Sequence, residues 1–386
     1  MGHILKRGNR WYFIIDLGRD ESGKRKQKWY SGFATKKAAQ QELVKVSHDI
    51  NTGVYVEPTR MKVGAYLDGW LKDYAKQHAA PQTYRRYESI VRLHLKPALG
   101  NLLLSKLQPL HIQHCYTEAV ENGRIGSKGP LSSTTVLQHH HVLSEALKHA
   151  FRLGLIARNP AQAVQPPRPR KSEVSYYNVE EVQTLMGLTS GSWLHVPVML
   201  AVTTGMRRGE VLGLKWTDIT LDPEREEGSL QVRRSLQEDL STKAPKTASG
   251  SRTIPLPATM VAALKKHRAM QAAQRLALGS AYCIEDWVCA HEDGNVITPS
   301  ALSHGFKSFV AKSELKQVRF HDLRHTHATL LLLNGENPKV VSERLGHSQV
   351  SITLDVYSHV MPNMQEEAAG RFDALLKPQA REAASA

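Results

Sequence analysis

A proline-rich, charged stretch near the middle of the chain places the strongest limit on its fold. The segment "VQPPRPRKSEVSYY", residues 164–177, holds three prolines within four positions. Proline lacks a backbone N–H and fixes φ, so neither a helix nor a central strand continues through such a segment. We therefore expect an extended linker at 166–177 between separately folded parts. A chain of 386 residues has room for two or three domains.

Net charge is distributed unevenly along the chain. Residues 1–60 carry 12 basic and 6 acidic side chains, residues 61–176 carry 16 and 7, and residues 177–386 carry 23 of each. The whole excess of +15 therefore lies before the third part of the chain. A balance of this kind favours a polyanionic partner, either nucleic acid or an acidic membrane surface.

Cysteine content and hydropathy indicate the compartment. The three cysteines, Cys115, Cys283 and Cys289, form no CxxC pair, and their low number does not indicate a disulfide framework. The first residues, "MGHILKRGNRWYFIIDLG", have too short an apolar core for a signal peptide, and no apolar run has the length of a membrane span. We expect a cytoplasmic protein with no membrane partner.

The first 56 residues indicate a small basic module. Two strand-like runs, "ILKRGNRWYFIIDLGRD" and "KRKQKWYSGF", are joined by "DESGK", and a helix follows with Thr35 as its cap and Gly53 at its end. The basic side chains of the second run and the nearby aromatic residues predict a charged sheet face that binds DNA. Alternatively, at least two of the aromatic residues form the core of the sheet. The residues in question are Lys24, Arg25, Lys26, Lys28, Trp11, Tyr12, Trp29 and Tyr30.

Residues 61–165 are predicted to be a domain of four helices. Apolar residues recur at spacings of three and four over about 63–77, 82–98, 108–123 and 133–153. Five basic residues on these helices are candidates for DNA contacts: Arg85, Arg86, Arg92, Lys148 and Arg152. Three successive histidines, 139–141, point around a helix rather than to one side, which disfavours a metal site and favours a solvated or DNA-facing helix.

The third domain is predicted at 178–375, followed by a tail at 376–386. Asn178 is a helix cap, with Glu180 and Glu181 in the first turn. Helices are expected at 194–204, 208–214, 257–276, 299–313, 321–334, 338–345 and from 351 onward, with strands near "SLQVRRSLQ" and "SRTIPLP". The whole chain is therefore expected to be multidomain and mainly α with small β-sheets.

One helix start in this domain concentrates cationic side chains. In "HDLRHTHATLLLLNG", His321, Arg324 and His325 share a helix face. The HxxxH spacing also occurs in zinc hydrolases, but Asp322 stands where such an enzyme needs glutamate, and Arg324 would repel a divalent cation. Arginine beside histidine suits an oxyanion instead, because a guanidinium binds two phosphate oxygens at once.

Four segments in this order resemble the catalytic domain of the tyrosine recombinases, the family of bacteriophage-type integrases. They are "TTGMRRGEVLGLKW", "PKTASGSRTIPL", "HDLRHTHA" and "LGHSQVSITLDVYSHV". The resemblance implies that Arg207 holds the scissile phosphate, with Arg208 as the less favoured candidate, and that Glu210 is its buried support. It also implies that Lys246, with Lys243 as a rival, protonates the leaving 5′ oxygen, and that Tyr357 is the nucleophile. His321, Arg324 and His347 complete the set.

Each of these residue types has a chemical reason to be present. Attack by tyrosine on a phosphodiester stores the bond energy in a phosphotyrosine, so rejoining needs no ATP, and no GxxxxGK[ST] loop occurs in the chain. Two arginines stabilise the charge that develops on phosphorus where another enzyme would use a metal. We therefore expect no cofactor and no metal, and we expect His321 to accept the tyrosine proton. His325 and His327 have no matching role and are expected to pack or cap.

The resemblance extends upstream and implies the biological task. An arm-binding module, a helical core-binding domain and a catalytic domain are typical of integrases that hold arm-type and core-type sites on double-stranded DNA. Such a protein acts as a homotetramer on paired sites, with DNA-bending and directionality proteins as possible accessories, and is found with the bacterial nucleoid. A relaxing type IB topoisomerase, a catalytically silent DNA-binding regulator of the same fold and, more distantly, a zinc hydrolase are the alternatives.

Overall fold

A computed structural model describes residues 3–19, 23–52, 55–57, 59–126, 129–169, 175–245 and 250–357, and the single positions 369, 372, 373 and 376. The chain divides into two compact units, 1–171 and 172–386. Both units are mainly helical, and small antiparallel sheets accompany the helices. The fold class predicted from the sequence is therefore confirmed. Within the described ranges, no helix combines the length and the apolar content that crossing a bilayer requires.

The first unit begins with a three-stranded antiparallel sheet and one helix. Strands β1 (His3–Arg7), β2 (Arg10–Arg19) and β3 (Arg25–Phe33) lie in that order, and helix α1 (Lys36–Asn51) follows. As predicted, the Thr35 side chain caps α1 by accepting a hydrogen bond from the Ala38 N–H at 3.1 Å. The helix ends before Gly53, which lies outside the described residues.

The aromatic side chains of this sheet divide between its two faces, because successive residues of a strand point to opposite sides. Trp11 and Tyr30 pack against the core formed by Phe13, Ile15, Ala39 and Val46. Tyr12 and Trp29 stack on each other on the other face, with ring centroids 5.5 Å apart. Trp29 is 59% exposed. The expectation that at least two of the aromatic residues belong to the core is confirmed.

Four helices follow in the first unit. Helix α2 covers 63–78 and α3 covers 81–99, each with a π-helical turn inside it, at Leu71–Ala75 and Val91–Leu95. Helix α4 is Pro109–Asn122 and α5 is Ser133–Arg152. All four predicted helices are confirmed to within one residue at either end. The Tyr66 hydroxyl on α2 donates to the Ala146 carbonyl on α5 at 2.6 Å, which ties the first of these helices to the last.

The histidine run on α5 is not, as a whole, the solvated or DNA-facing surface that the sequence favoured. His139 is 2% exposed and packs against the His94 ring on α3, with centroids 4.4 Å apart. Burial first, and then the neighbouring His94, lowers the pKa of His139 to about 4, so the pair packs as neutral rings at pH 7. His140 contacts the Tyr116 hydroxyl at 3.1 Å, and His141 is exposed. Only His141 fits the solvated interpretation.

The second unit combines helices with two small sheets. Its elements are α6 (Val179–Thr189), α7 (His195–Thr204), α8 (Arg208–Leu212), β4 (Ile219–Leu221), β5 (Gly228–Val232), β6 (Ser235–Leu236), β7 (Thr242–Lys243), β8 (Arg252–Pro255), α9 (Ala258–Leu278), α10 (Pro299–Ala311), α11 (Asp322–Leu333), α12 (Pro338–Leu345) and α13 (Val350–Tyr357). Strands β4, β5 and β8 form one sheet, and β6 pairs with β7. The predicted helices are confirmed, whereas β4 and β7 were not foreseen.

Helix α7 positions the rest of this unit. Eight of its ten residues are buried, so it is apolar on all sides and lies within the core.

Tyr177, the last residue of the predicted linker, is also fully buried and donates through its hydroxyl to the Lys316 carbonyl at 2.7 Å. The predicted cap is confirmed, since the Asn178 side chain accepts from the Glu181 N–H at 2.8 Å. The helix expected beyond Tyr357 lies for the most part outside the described residues.

Candidate active site

The site begins where the buried helix α7 ends. Gly205 terminates the helix with φ of +67°, and its carbonyl accepts a hydrogen bond from the Arg324 Nη1 at 2.7 Å. A Cβ at this position would lie 2.6 Å from His327 Cδ2 and 2.7 Å from Leu345 Cδ2. Both the left-handed backbone and the close packing therefore require glycine. After this turn, Arg207 reaches the Gly346 carbonyl at the end of α12.

Arg207 is held by a buried carboxylate, as the sequence predicted. Its Nη1 donates to Glu210 Oε1 at 2.8 Å, and its Nη2 donates to the Gly346 carbonyl at 3.2 Å. Arg252 binds the other carboxylate oxygen at 2.9 Å. Burial alone would raise the pKa of Glu210, but Arg252 first and then Arg207 hold that pKa below its ordinary value. Glu210 is thus charged at neutral pH, and it fixes two guanidinium groups.

The structure distinguishes Arg207 from its neighbour. Arg208 is directed to other partners: its guanidinium donates to Ser303 Oγ at 2.7 Å, to the Pro299 carbonyl at 3.1 Å and to Glu238 at 2.6 Å. Successive residues at a helix start diverge in direction. Of the two candidates, Arg207 is the one that lies with the other predicted site residues.

Arg324 is a buried cation with an incomplete set of hydrogen bonds. Its side chain is 3% exposed, and its Nη2 has no hydrogen-bond partner among the described residues. Burial first, and then the positive charge of Arg207, lowers the pKa of Arg324 to about 9. It remains charged at pH 7. A buried guanidinium with an unused donor is costly unless an anion completes its shell.

Two histidines lie close to these arginines. His321 is exposed at the start of α11, and His347 is half-buried, with its Nδ1 2.8 Å from Thr353 Oγ1. Burial first, then Arg324 and Arg207, lowers the pKa of His347 to about 4. Neutral imidazole offers one N–H donor without adding charge to a site that already holds several guanidinium groups.

Tyr357 occupies the end of α13 and is almost fully buried. It is 1% exposed and packs against Ala328, Leu332, Val341 and Leu345. Its hydroxyl lies 2.7 Å from His325 Nδ1. Burial raises the pKa of Tyr357 to about 12, although the charge of Arg324 acts in the opposite direction. The predicted nucleophile is therefore protonated at neutral pH and lies beside the cationic cluster.

The identity of the histidine on this hydroxyl corrects the sequence prediction. His321 was expected to accept the tyrosine proton, and His325 was expected only to pack or cap. The structure places the His325 ring on the hydroxyl, whereas the His321 ring lies against the His325 ring at a centroid distance of 5.4 Å. The two residues are one helical turn apart, so they share a face, but His325 is the one that faces α13.

His327 has the structural role that was predicted. It is 6% exposed, its Nδ1 contacts the Val202 carbonyl at 2.7 Å, and the Arg344 Nε donates to its Nε2 at 3.1 Å. Arg344 also donates to the Thr203 carbonyl at 3.0 Å. These bonds connect α11 and α12 to the end of α7. They fix the helix that leads to His347.

Lys246, the lysine of the predicted catalytic set, is not among the residues that the structure describes. Its rival Lys243 is exposed on β7, opposite Ser235 of β6. The assignment of the proton donor to the leaving oxygen therefore stays a prediction.

The zinc alternative has a further difficulty in the structure. Asp322, at the position where a zinc hydrolase needs a base, is 3% exposed and is paired with Arg319 at 2.8 Å. A carboxylate held in this way is not available to abstract a proton. Among the described residues, no group of three or more His, Cys, Asp or Glu side chains is arranged to hold a metal ion.

The predicted DNA contacts on the helices and on the sheet differ in their surroundings. All five helix candidates are exposed on α3 and α5: Arg85, Arg86, Arg92, Lys148 and Arg152. On β3, in contrast, Arg25 pairs with Asp16, and Lys26 and Lys28 both bind Glu57, at 3.0 and 2.7 Å. Lys24 is exposed just before the strand.

The prediction of one charged face on this sheet is wrong. Neighbouring strand residues alternate between faces, so Arg25 and the two lysines do not share one side. Lys28 pairs in register with the buried Ile15, whereas Arg25 reaches Asp16, the next residue of β2.

Three parts of the chain match known protein families. Residues 3–50 match an arm DNA-binding domain, residues 62–119 match the N-terminal SAM-like domain of phage integrases, and residues 176–364 match the phage integrase family. A tyrosine recombinase XerC-like protein of Caldanaerobacter subterraneus subsp. tengcongensis is 31% identical over 389 residues, covering 95% of this chain and 96% of that protein.

Two solved structures are similar in fold. One is the Tn1549 transposon integrase in complex with a circular intermediate DNA, at a TM-score of 0.64 and 19% identity, covering 82% of this chain and 99% of that one. The other is a lambda integrase tetramer bound to a Holliday junction, at a TM-score of 0.59 and 18% identity, covering 90% of this chain and 92% of that one.

Proposed function

The chain belongs to the tyrosine recombinases of the phage integrase family, and we propose that it cuts and rejoins double-stranded DNA through a 3′-phosphotyrosine on Tyr357. Its activity is that of a site-specific DNA strand transferase, an integrase. The relatives and structural neighbours are integrases and recombinases, so a topoisomerase or a silent regulator is not favoured. The proposed task is to integrate and excise a mobile element or phage genome.

One observation carries the chemical part of the proposal. The buried Arg324 keeps an Nη2 without a partner among the described residues, and the charge of Arg207 acts on it. Glu210 offsets part of the local positive charge, but it is already shared by Arg207 and Arg252. The cluster therefore lacks an anion. A scissile phosphate supplies the missing charge and accepts the unused N–H.

The residues then divide the reaction among themselves. Arg207 and Arg324 bind the nonbridging oxygens and stabilise the extra charge of the phosphorane, while His347 donates a further hydrogen bond. The Tyr357 oxygen attacks phosphorus, the bond to the 5′ oxygen breaks, and that oxygen takes a proton from Lys246. The proposed catalytic set is therefore Arg207, Lys246, Arg324, His347 and Tyr357, and His321, the sixth residue that the resemblance implied, has no role in these steps.

We assign DNA binding to three separate surfaces. Residues 1–56 bind the arm-type site, and residues 61–165 and 178–375 bind the core site. No DNA contact is assigned to the tail at 376–386. Support for the core-binding part comes from the five exposed basic residues on α3 and α5. Support for the arm-binding part comes from the open sheet face with the Tyr12–Trp29 stack. Because the net excess of positive charge precedes residue 177, binding is expected to weaken steeply with salt.

The assembly is proposed as a homotetramer on paired core sites. The lambda integrase that this chain resembles in fold is a tetramer on a Holliday junction. Exchange of strands in pairs through such a junction needs four active sites. We expect DNA-bending and directionality proteins to assist the reaction. The proposed location is the cytoplasm, on the nucleoid.

The test is a nicked suicide substrate, in which the cut strand loses a short fragment and the reaction stops at the covalent stage. Wild-type protein should accumulate a protein–DNA adduct, and Tyr357→Phe should form none while still binding the duplex. An adduct that forms at the wild-type rate with Tyr357→Phe would end the proposal. Removal of residues 1–56 should spare core-site cleavage and impair recombination between full attachment sites, and unchanged recombination would contradict the arm assignment.

A further inference from the structure

The hydroxyl of the proposed nucleophile has a basic partner whose role the family resemblance did not indicate. The Tyr357 hydroxyl lies 2.7 Å from His325 Nδ1, and the ring centroids are 5.7 Å apart. Tyr357 is 1% exposed, so water has little access to its oxygen. The hydroxyl proton therefore needs a receiving group within the protein.

The other candidates for that role are occupied or placed elsewhere. His347 uses its Nδ1 to contact Thr353 Oγ1 at 2.8 Å. His321 lies behind His325, with the two rings perpendicular and 5.4 Å apart. Arg324 carries no lone pair and only donates. Among the described residues, His325 is the one whose ring nitrogen lies within hydrogen-bond distance of the Tyr357 oxygen.

In the DNA-free protein Tyr357 holds its proton and the His325 ring is neutral, so one is a donor and the other can accept, but their pKa values of about 12 and about 4 oppose the transfer until a phosphate is bound. Burial first, and then the neighbouring His321, lowers the pKa of His325 to about 4, so its ring is neutral at pH 7 and keeps a lone pair. The positive charge of Arg324, the preceding residue of α11, also disfavours a protonated His325 ring. Once a phosphate dianion-like transition state forms nearby, its negative charge favours an imidazolium.

We infer that His325 is a catalytic residue that accepts the proton of Tyr357 as the tyrosine oxygen bonds to phosphorus. This inference depends on the proposed recombinase chemistry. In the step, the O–H bond breaks and its proton goes to Nδ1, the oxygen lone pair forms the O–P bond, and the P–O5′ bond breaks with its electron pair on O5′. In the rejoining step the 5′ hydroxyl gives its proton to Lys246 and attacks phosphorus, the bond between phosphorus and the tyrosine oxygen breaks, and the same nitrogen returns its proton to that oxygen.

The contact has one competing explanation with the opposite consequence. His325 would merely hold Tyr357 in its apolar cluster, and release of the side chain would then be required before cleavage. Loss of the imidazole would accelerate cleavage under that explanation, whereas loss of a proton acceptor slows it. The sign of the effect therefore separates the two.

The test uses His325→Asn, which keeps a polar group near the Nδ1 position but does not take up a proton. Single-turnover cleavage of the suicide substrate at saturating protein should fall by about 10²-fold or more, the usual size of a general-base effect. Duplex binding and the thermal unfolding midpoint should stay at wild-type values. His321→Asn is the matched control one turn away, and its loss should be smaller.

Two further measurements exclude a merely structural effect. A substrate with sulfur in place of the bridging 5′ oxygen needs no proton for its leaving group, so it should not rescue His325→Asn, although it should rescue Lys246→Ala. Added imidazole should restore cleavage by His325→Ala, and pyrazole, which has the same size and is far less basic, should not.

Several results would overturn the inference. Cleavage by His325→Asn at or above the wild-type rate would do so, as would full rescue by the sulfur substrate, or equal rescue by imidazole and pyrazole. If Tyr357→Phe itself formed the adduct, the recombinase chemistry would fail instead. The two failures are therefore distinguishable.

Discussion

Replacement of the buried guanidinium of Arg324 is expected to stabilise the DNA-free protein while it stops cleavage. Arg324 is 3% exposed, and its pKa is lowered from 12.5 to about 9, by burial first and then by Arg207. At about 1.4 kcal/mol per pKa unit, the folded protein disfavours the charged form by roughly 5 kcal/mol. The buried charge of Arg324 therefore destabilises the DNA-free protein, and we expect a bound phosphate to offset this cost.

Arg324→Met removes the charge and keeps most of the bulk. The change also leaves the Gly205 carbonyl without its donor at 2.7 Å, which costs about 1–3 kcal/mol. The net effect is a gain of about 2 kcal/mol in the free energy of unfolding, within the range found when buried ions are replaced by apolar residues. Cleavage should fall by about 10²–10³-fold, as for the loss of one donor to a developing oxyanion.

The assay is urea unfolding of the DNA-free protein, with single-turnover cleavage measured on the same preparations. Arg207→Met is the matched control, because its side chain is 41% exposed and is paired with the buried Glu210. That variant should lose stability as well as cleavage. If Arg324→Met destabilised the free protein as much as the control does, the cationic site would not be waiting for an anion, and the electrostatic reasoning would be refuted.

Three further outcomes are expected. Arg208→Ala should cleave the suicide substrate at nearly the wild-type rate, since Arg208 binds Ser303 and Glu238 away from the site; a loss as large as that of Arg207→Ala would reverse the assignment. Gly205→Ala should lower the free energy of unfolding in urea by at least about 1–3 kcal/mol, because its φ is +67° and its Cβ would meet side chains at 2.6 and 2.7 Å; wild-type stability would contradict the packing. Because the pKa of His347 is lowered to about 4, the neutral ring contributes stability that is present above about pH 6.5 and is lost as the pH falls through 4. The thermal unfolding midpoint of His347→Asn should therefore depend less on acid than that of the wild type, and an equal acid dependence would contradict this prediction.

The sequence predicted the helical framework well because apolar periodicity is a local property. All four helices between residues 61 and 165 begin and end within one residue of their predicted positions. The short strands β4 and β7, of three and two residues, carry too few residues to show a period. The buried pair His94 and His139 was also missed, because the position of His139 on its helix does not show which neighbouring helix covers it.

At the site, residue types were predictable and their mutual contacts were not. Arg324 lies close enough to Arg207, His347 and Tyr357 for their charges to interact, and Glu210 binds Arg207. The spacing of α11 placed His321 and His325 on one face but did not show which of them faces α13. Which histidine faces α13 depends on how residues 32 positions apart in the chain pack together. In the structure His325 contacts Tyr357.

The covalent linkage itself offers the final test. Wild-type protein trapped on the suicide substrate is digested with trypsin and nuclease, and the modified peptide is sequenced by mass spectrometry. We expect a 3′-linked nucleotide on the oxygen of Tyr357 and on no other residue. A nucleotide attached to a different side chain, or a 5′ linkage at Tyr357, would contradict the mechanism in which Arg207 and Arg324 hold a phosphate for attack by this tyrosine.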